Sequence, residues 1–135
     1  MGNSMSNIEL RYLYRDGGNN KTFGNVVFSN PEQFRSSAIE QALTEMFLEE
    51  GLFIADQVRV PEVFLFANGQ LALDDHCYHE LGAVLTTDKN PTDLHARTIS
   101  EFLSEVTQQA QRGWRVFDPY DSKGSIGHFL ASQRL

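Results

Sequence analysis

The spacing of apolar residues changes twice along the chain from a period of about two to a period of about 3.6, which sets the order of its elements. In the segment 8–16, one set of alternate positions is apolar, as expected of a half-buried strand: Ile8, Leu10, Tyr12 and Tyr14. The segment 25–29 (NVVFS) is a second strand-like run. Because glycine and asparagine dominate the residues between the two runs, we predict a β-hairpin with a wide tip at 16–24.

The first helix is predicted after a turn at Pro31, whose ring fixes its own backbone angle. Ser37 and Glu40 have the spacing of a capping box, in which each side chain satisfies a backbone donor of the first helical turn. Apolar residues then recur on one face of the helix: Ile39, Ala42, Leu43, Met46 and Phe47. We expect this helix to end at Gly51.

The second helix is predicted from another capping box, Thr98 with Glu101, and from a glycine stop at Gly113. Between the helices, residues 52–66 read as one broken strand or two short strands. Residues 76–87 read as a longer strand, because they are rich in apolar and β-branched side chains.

The resulting order, β-β-α-β-β-α, favours an α+β domain. We predict a two-layer sandwich, in which an antiparallel sheet of about four to five strands carries both helices on one face. The domain is expected to cover residues 5–120, followed by a C-terminal tail or docking arm at 121–135. If large aromatic side chains emerge on the opposite face of the sheet, a second copy is the expected cover. The candidates are Phe53, Phe64, Phe66, Tyr12 and Tyr14.

Charge and cysteine content restrict the class of protein. The formal net charge is −7, and phosphate contacts need clustered Lys and Arg, so direct nucleic-acid binding is not expected. Cys77 is the one cysteine, which excludes an intrachain disulfide and favours a reducing compartment. The sequence has neither the roughly 20-residue apolar run of a membrane span nor the pattern of a secretory signal. We therefore expect a cytoplasmic protein without membrane contact.

The segment 74–80 (DDHCYHE) is the densest group of potential metal ligands and proton-transfer residues. On a strand, successive side chains face opposite sides, so the segment is divided. One side has His76, Tyr78 and Glu80, and the other has Cys77 and His79. This division argues against a local chelate, so we predict neither a metal nor a cofactor. The side with His76, Tyr78 and Glu80 remains a candidate for proton transfer or ligand binding. On the other side, Cys77 is a candidate thiol nucleophile, with His79 as the histidine that it would need within hydrogen-bond reach. Alternatively, Cys77 and His79 simply fill the core.

The hairpin tip is a second candidate site. Its side chains suit a carboxylate or phosphate ligand: Arg15, Asp16, Asn19, Asn20 and Lys21. The alternative is that they are ordinary turn residues. No phosphate-binding glycine loop, G-x-S-x-G elbow, paired CxxC or H-E-x-x-H motif occurs in the sequence, so catalysis is uncertain and not favoured.

Three stretches of the sequence carry a resemblance: the hairpin from Tyr14 through Asn19-Asn20-Lys21 to Pro31, the piece 60–62 (VPE), and the segment 76–80. Together they resemble a family of small bacterial proteins encoded in mobile and accessory gene contexts, including integron gene cassettes. The similarity spans residues 12–87. It departs from the family pattern at Asn20, where an aromatic residue commonly precedes the lysine, and at Tyr78, where tryptophan is expected. The resemblance implies a cytoplasmic accessory protein of uncharacterised function.

These observations favour a noncatalytic binding or interaction protein that self-associates. We expect a homodimer, and a protein partner that binds through the tip at 15–21. One alternative is a small hydrolase or metal-dependent enzyme that uses residues 76–80. Another is an acidic mimic of nucleic acid that inhibits a nucleic-acid-binding protein, since acidic residues strongly outnumber basic ones at 36–100.

Overall fold

A computed structural model describes residues 6–64 and 76–118. The strands in this part of the chain are β1 (Asn7–Arg15), β2 (Lys21–Phe28), β3 (Leu52–Phe53) and β4 (His79–Thr87). The helices are α1 (Ser36–Met46) and α2 (Ile99–Arg112), with 3-10 turns at Glu49–Gly51 and Ala55–Val58. None of the helices described combines the length and the apolar character that crossing a bilayer requires.

The four strands form one antiparallel sheet in the order β2-β1-β4-β3. The prediction of an α+β fold with an antiparallel sheet and two helices is therefore confirmed at this level. The predicted hairpin is β1 with β2, but β2 begins earlier than the run at 25–29. Because Lys21 pairs with Arg15, the tip is confined to residues 16–20.

The predicted apolar face of β1 lies at the centre of the core. Its four members are each at most 1% exposed: Ile8, Leu10, Tyr12 and Tyr14. Both helices add buried side chains to this core: Ile39 and Leu43 from α1, and Ile99, Phe102 and Val106 from α2. Burial of each such side chain contributes roughly 1.5–3 kcal/mol, so this cluster is the main source of stability.

Four of the five aromatic residues considered for the outer face of the sheet do not lie there. Tyr12, Tyr14, Phe53 and Phe64 are all buried, and Phe66 lies outside the described residues. Tyr12 also donates its hydroxyl proton to the carbonyl of Pro61 at 2.7 Å. The alternation in β1 is correct, but its aromatic side is the side that faces the core.

One of the two predicted capping boxes is present. Thr98 accepts a hydrogen bond from the backbone N–H of Glu101 at 3.1 Å, and the Glu101 carboxylate accepts one from the N–H of Thr98 at 2.8 Å. The box at Ser37 is wrong: α1 is capped by Arg35 without a side-chain hydrogen bond. Since α1 starts at Ser36, Ser37 already lies inside the first turn, where its hydroxyl cannot act as the cap.

Two segment boundaries also differ from the prediction. Helix α1 ends at Met46, and Gly51 belongs to a separate 3-10 turn in which its φ is +74°. Of the predicted strand at 52–66, Leu52–Phe53 is extended and paired, Ala55–Val58 turns, and 65–75 lies outside the described residues. The remaining strand, β4, begins at His79 rather than at residue 76.

A bulge at Gly82 sets the register between β1 and β4. Arg11 is paired with Ala83 and Tyr12 with Leu81, so Gly82 is an extra residue in β4. A Cβ atom at this position would lie 3.1 Å from the carbonyl oxygen of Arg11, which explains the glycine. The shifted register places Glu80, the neighbour of Leu81, beside the end of β1.

A buried arginine holds the loop between β4 and α2. The Arg97 guanidinium donates to both carboxylate oxygens of Asp93, at 2.9 and 2.8 Å, in a two-pronged ion pair. It also donates to the carbonyls of Val58 and Arg59, at 2.8 and 2.9 Å. These contacts fix the loop against the 3-10 turn at Ala55–Val58 and orient it along the edge of β2.

Candidate interaction surface

The fold brings the two predicted candidate sites together. The Arg15 guanidinium donates to both carboxylate oxygens of Glu80, at 2.7 and 3.3 Å. The carbonyl of Arg15 lies 2.7 Å from Nε2 of His76. The hairpin tip is therefore joined to the segment 76–80, and the charge of Arg15 is matched by that of Glu80 instead of facing an open site.

The other tip residues are mostly bonded to one another. Asp16 accepts from the backbone N–H of Asn20 at 2.8 Å and from its side-chain amide at 3.1 Å, and these bonds lower the pKa of Asp16 despite an opposing contribution from desolvation. Asn19 accepts from the Arg15 guanidinium and adopts a left-handed φ of +68°. Lys21 is exposed, and its side chain makes no ion pair or hydrogen bond to the described residues. The tip is thus an internally bonded turn, and its Lys21 side chain has no partner among the described residues.

Both ring nitrogens of His76 are engaged. Nδ1 accepts from the backbone N–H of Tyr78 at 3.0 Å, so the ring proton is on Nε2, which donates to the Arg15 carbonyl. The backbone N–H of His76 donates to the Tyr14 hydroxyl at 3.1 Å. A ring with neither nitrogen free is better suited to positioning the tip than to accepting a proton from a substrate.

Cys77 and His79 face the core, while His76, Tyr78 and Glu80 are partly exposed. The backbone N–H of Val63 donates to Nε2 of His79 at 3.0 Å. Nδ1 therefore carries the ring proton, and this nitrogen is buried. Four aromatic rings surround the imidazole: Tyr12, Tyr14, Phe53 and Phe64.

Burial determines the protonation state of this pair. It lowers the pKa of His79 to about 3 and raises the pKa of the Cys77 thiol. At neutral pH the imidazole is uncharged and the thiol is protonated. This is opposite to the thiolate and imidazolium pair that a cysteine nucleophile uses. Within residues 6–64 and 76–118, no group of three or more His, Cys, Asp or Glu residues is arranged to hold a metal ion.

The main exposed apolar side chain of the sheet is one that the sequence pattern did not single out. Phe23 in β2 is 71% exposed. Its cross-strand partner Leu13 is only 7% exposed. The two side chains share the outer face of the sheet with Leu85 of β4, which is partly exposed. The sequence pattern places Phe23 in the loop, because the residues from Lys21 to Asn25 include one large apolar side chain and hence show no alternation.

The edge of β2 is covered along half of its length. The N–H of Val27 donates to Oγ1 of Thr92 at 2.9 Å, and its carbonyl accepts from the N–H groups of Thr92 and Asp93, at 2.9 and 3.2 Å. Ser29, just beyond the strand, accepts from the N–H of Ile99 at 2.8 Å. No backbone hydrogen bond from a described residue covers the outward edge at Lys21–Asn25.

No family model matches this chain, and no curated protein or solved structure is significantly similar to it. The resemblance to cassette-encoded proteins consequently stays a prediction. We therefore infer the candidate surface from the geometry of the chain's own residues alone.

Proposed function

We propose that this chain is a noncatalytic interaction protein that self-associates through its β1–β2 hairpin. The observation that carries the proposal is the 71% exposure of Phe23, a large aromatic side chain held on a regular strand. Aromatic residues are enriched at protein interfaces, where they bury much area at a small cost in side-chain entropy. A strand holds such a side chain in a fixed orientation, which suits a recurrent contact.

The state of the predicted catalytic groups supports a binding role over a catalytic one. Arg15 is paired with Glu80, His76 uses both ring nitrogens, and His79 is buried and uncharged. Arg15 and His76 hold the hairpin against the segment 76–80, and His79 accepts a hydrogen bond from the backbone N–H of Val63. The hydrolase alternative needs at least one of them free to meet a substrate.

The charge distribution also favours the hairpin as the contact surface. The whole chain has a net charge of −7, but residues 7–28 contain three basic and two acidic side chains. Two copies that meet through their hairpins avoid the repulsion between their acidic regions. The same surface suits an acidic segment of another protein, because the Lys21 side chain pairs with none of the residues that the structure describes.

We further propose a two-layer packing with both helices on one face of the sheet, a cytoplasmic location, and an accessory role in a mobile gene context. On the outer face of the sheet, Phe23 and Leu85 are exposed, which agrees with contact through that part of the face.

Light scattering coupled to size exclusion over a series of micromolar concentrations tests the proposal. We expect the wild-type mass to rise towards that of a dimer with concentration. Phe23→Ser should shift this transition to higher concentration, whereas Val116→Ser, which alters an exposed apolar residue outside the sheet, should not. A wild-type protein that keeps the monomer mass at every concentration would contradict self-association.

A further inference from the structure

We propose that two copies of this chain pair through the open edge of β2 in an antiparallel register centred on Phe23, so that one sheet runs across both copies. The inference rests on the proposed self-association and specifies its partner and geometry. It follows from the direction of the backbone groups, the length of the open edge, and the side chains along it.

Two stretches of sheet edge have no paired strand among the described residues: the first half of β2, and β4 beyond Glu80, because β3 pairs with His79 and Glu80 alone. The β2 stretch is the one that contains the 71% exposed Phe23. β3, at the opposite edge, consists of Leu52–Phe53 alone, and Leu48 already bridges to it. Proteins use very short edge strands, among other devices, to prevent a sheet edge from pairing with another chain. β2 runs for eight residues, Lys21–Phe28, and no backbone hydrogen bond from a described residue covers its first half.

The backbone direction along β2 is fixed by Val27, whose N–H and carbonyl bond to Thr92 and Asp93, away from β1. In an antiparallel pair, residues alternate between bonding to the partner strand and pointing away from it. The N–H and carbonyl groups of Lys21, Phe23 and Asn25 therefore point to the open edge. They can pair with another strand without loss of any bond to β1.

The length of the open edge matches a two-fold arrangement. It begins where the tip ends, after Asn20, and stops where Thr92 covers Val27. Phe23 is the middle of this stretch. If the two-fold axis passes through this position, Phe23 of one copy faces Phe23 of the other, and Lys21 faces Asn25. Both copies then use the same short stretch, as an isologous contact requires.

The side chains in this register are compatible with one another. The two Phe23 rings meet on the outer face, and a cross-strand aromatic pair is favourable. Lys21 is the one charged residue between 21 and 25, and it faces the neutral Asn25. An edge lysine opposes pairing with many strands, but in this register no like charges face each other directly.

A charge-pair experiment tests the register. Phe23→Asp and Phe23→Lys each place like charges opposite one another in the two-fold pair, and each should weaken the dimer by at least about thirty-fold in Kd. Mixing the two variants in equal amounts should restore a heterodimer. Monomers should stay folded, because the Phe23 side chain is mostly exposed. A variant that dimerises like the wild type, or a mixture that stays monomeric, would overturn the proposed register.

A matched pair at Asn25 tests the backbone contact. Asn25→Pro removes an outward N–H that is not used by β1, while Asn25→Ala keeps it and removes only the side-chain amide. We expect the proline variant to lose dimerisation and the alanine variant to retain it. If Phe23→Ser weakens the dimer but Asn25→Pro does not, the hairpin contact stands and edge pairing is wrong. A monomeric wild type overturns both.

Discussion

At the scale of single residues, Arg97 is the polar group that anchors the loop between β4 and α2. Its side chain is 5% exposed and its partner Asp93 is 2% exposed. The rings of Phe28 and Phe102 lie 5.6 and 5.2 Å from the guanidinium carbon. A charge taken out of water is tolerable only while its partners are present, so this ion pair should be sensitive to loss of either member.

We predict that Arg97→Ala lowers the free energy of unfolding by about 3–5 kcal/mol, because it leaves the Asp93 carboxylate buried without its cation. The matched control is Arg59→Ala, which removes a 48% exposed partner of Glu105 and should cost at most about 1 kcal/mol. Urea unfolding measures both values. Equal losses in the two variants would mean that Arg97 is not the anchor of the loop.

His79 makes stability depend on pH. The pKa of His79 is about 3 in the folded protein, whereas in the unfolded state it has the ordinary value of 6.5. Between these two pH values the unfolded state therefore binds one more proton than the folded state. The unfolding free energy should therefore fall as pH drops below 6.5, by up to about 1.4 kcal/mol per pH unit from this group. His79→Gln keeps an acceptor for the Val63 N–H and removes the titration. Its profile between pH 6.5 and 4.5 should be shallower than that of the wild type, and parallel profiles would contradict the burial of an uncharged imidazole.

At the scale of elements, the sequence pattern located the strands and helices whose stability is local. β1 was found because its apolar residues share one face, and the start of α2 because Thr98 and Glu101 satisfy each other's backbone groups. The start of β2 was missed because residues 21–25 are held by pairing with β1 and not by a pattern of their own. The order of elements at 52–64 depends on tertiary contacts such as the Arg97 bond to the Val58 carbonyl.

The two predicted capping boxes provide a direct comparison. We expect Thr98→Ala to lower the unfolding free energy by about 1 kcal/mol, because it removes the acceptor for the Glu101 N–H. Ser37→Ala should be close to neutral, since Ser37 lies in the first turn of α1 and caps nothing. Chemical denaturation of both variants checks the difference, and a larger loss at Ser37 would contradict the observed start of α1.

At the scale of the whole molecule, the sequence could not predict which residues of the site come together in the folded chain. Each member of the Arg15 and Glu80 pair was a candidate, but their meeting depends on the β1–β4 register, which the bulge at Gly82 shifts. The exposure of Phe23 at the open edge could not be predicted either, because no sequence pattern reports which edge of a sheet stays open. Such features follow from pairing between distant segments, and they become visible only once the sheet is built.

The central claim is that two copies meet at Phe23, and disulfide formation by Phe23→Cys tests it most directly. In a hydrogen-bonded antiparallel pair the two Cα atoms are about 5.5 Å apart, which suits a disulfide. The native cysteine, Cys77, is buried and does not interfere. Lys21→Cys is the register control, since two copies of residue 21 would be offset by roughly 13 Å along the strands.

Under mild oxidation, non-reducing electrophoresis should show a covalent dimer for Phe23→Cys and mainly monomer for Lys21→Cys and the wild type. Equal cross-linking at positions 21 and 23, or none at position 23, would contradict pairing of the β2 edges around Phe23.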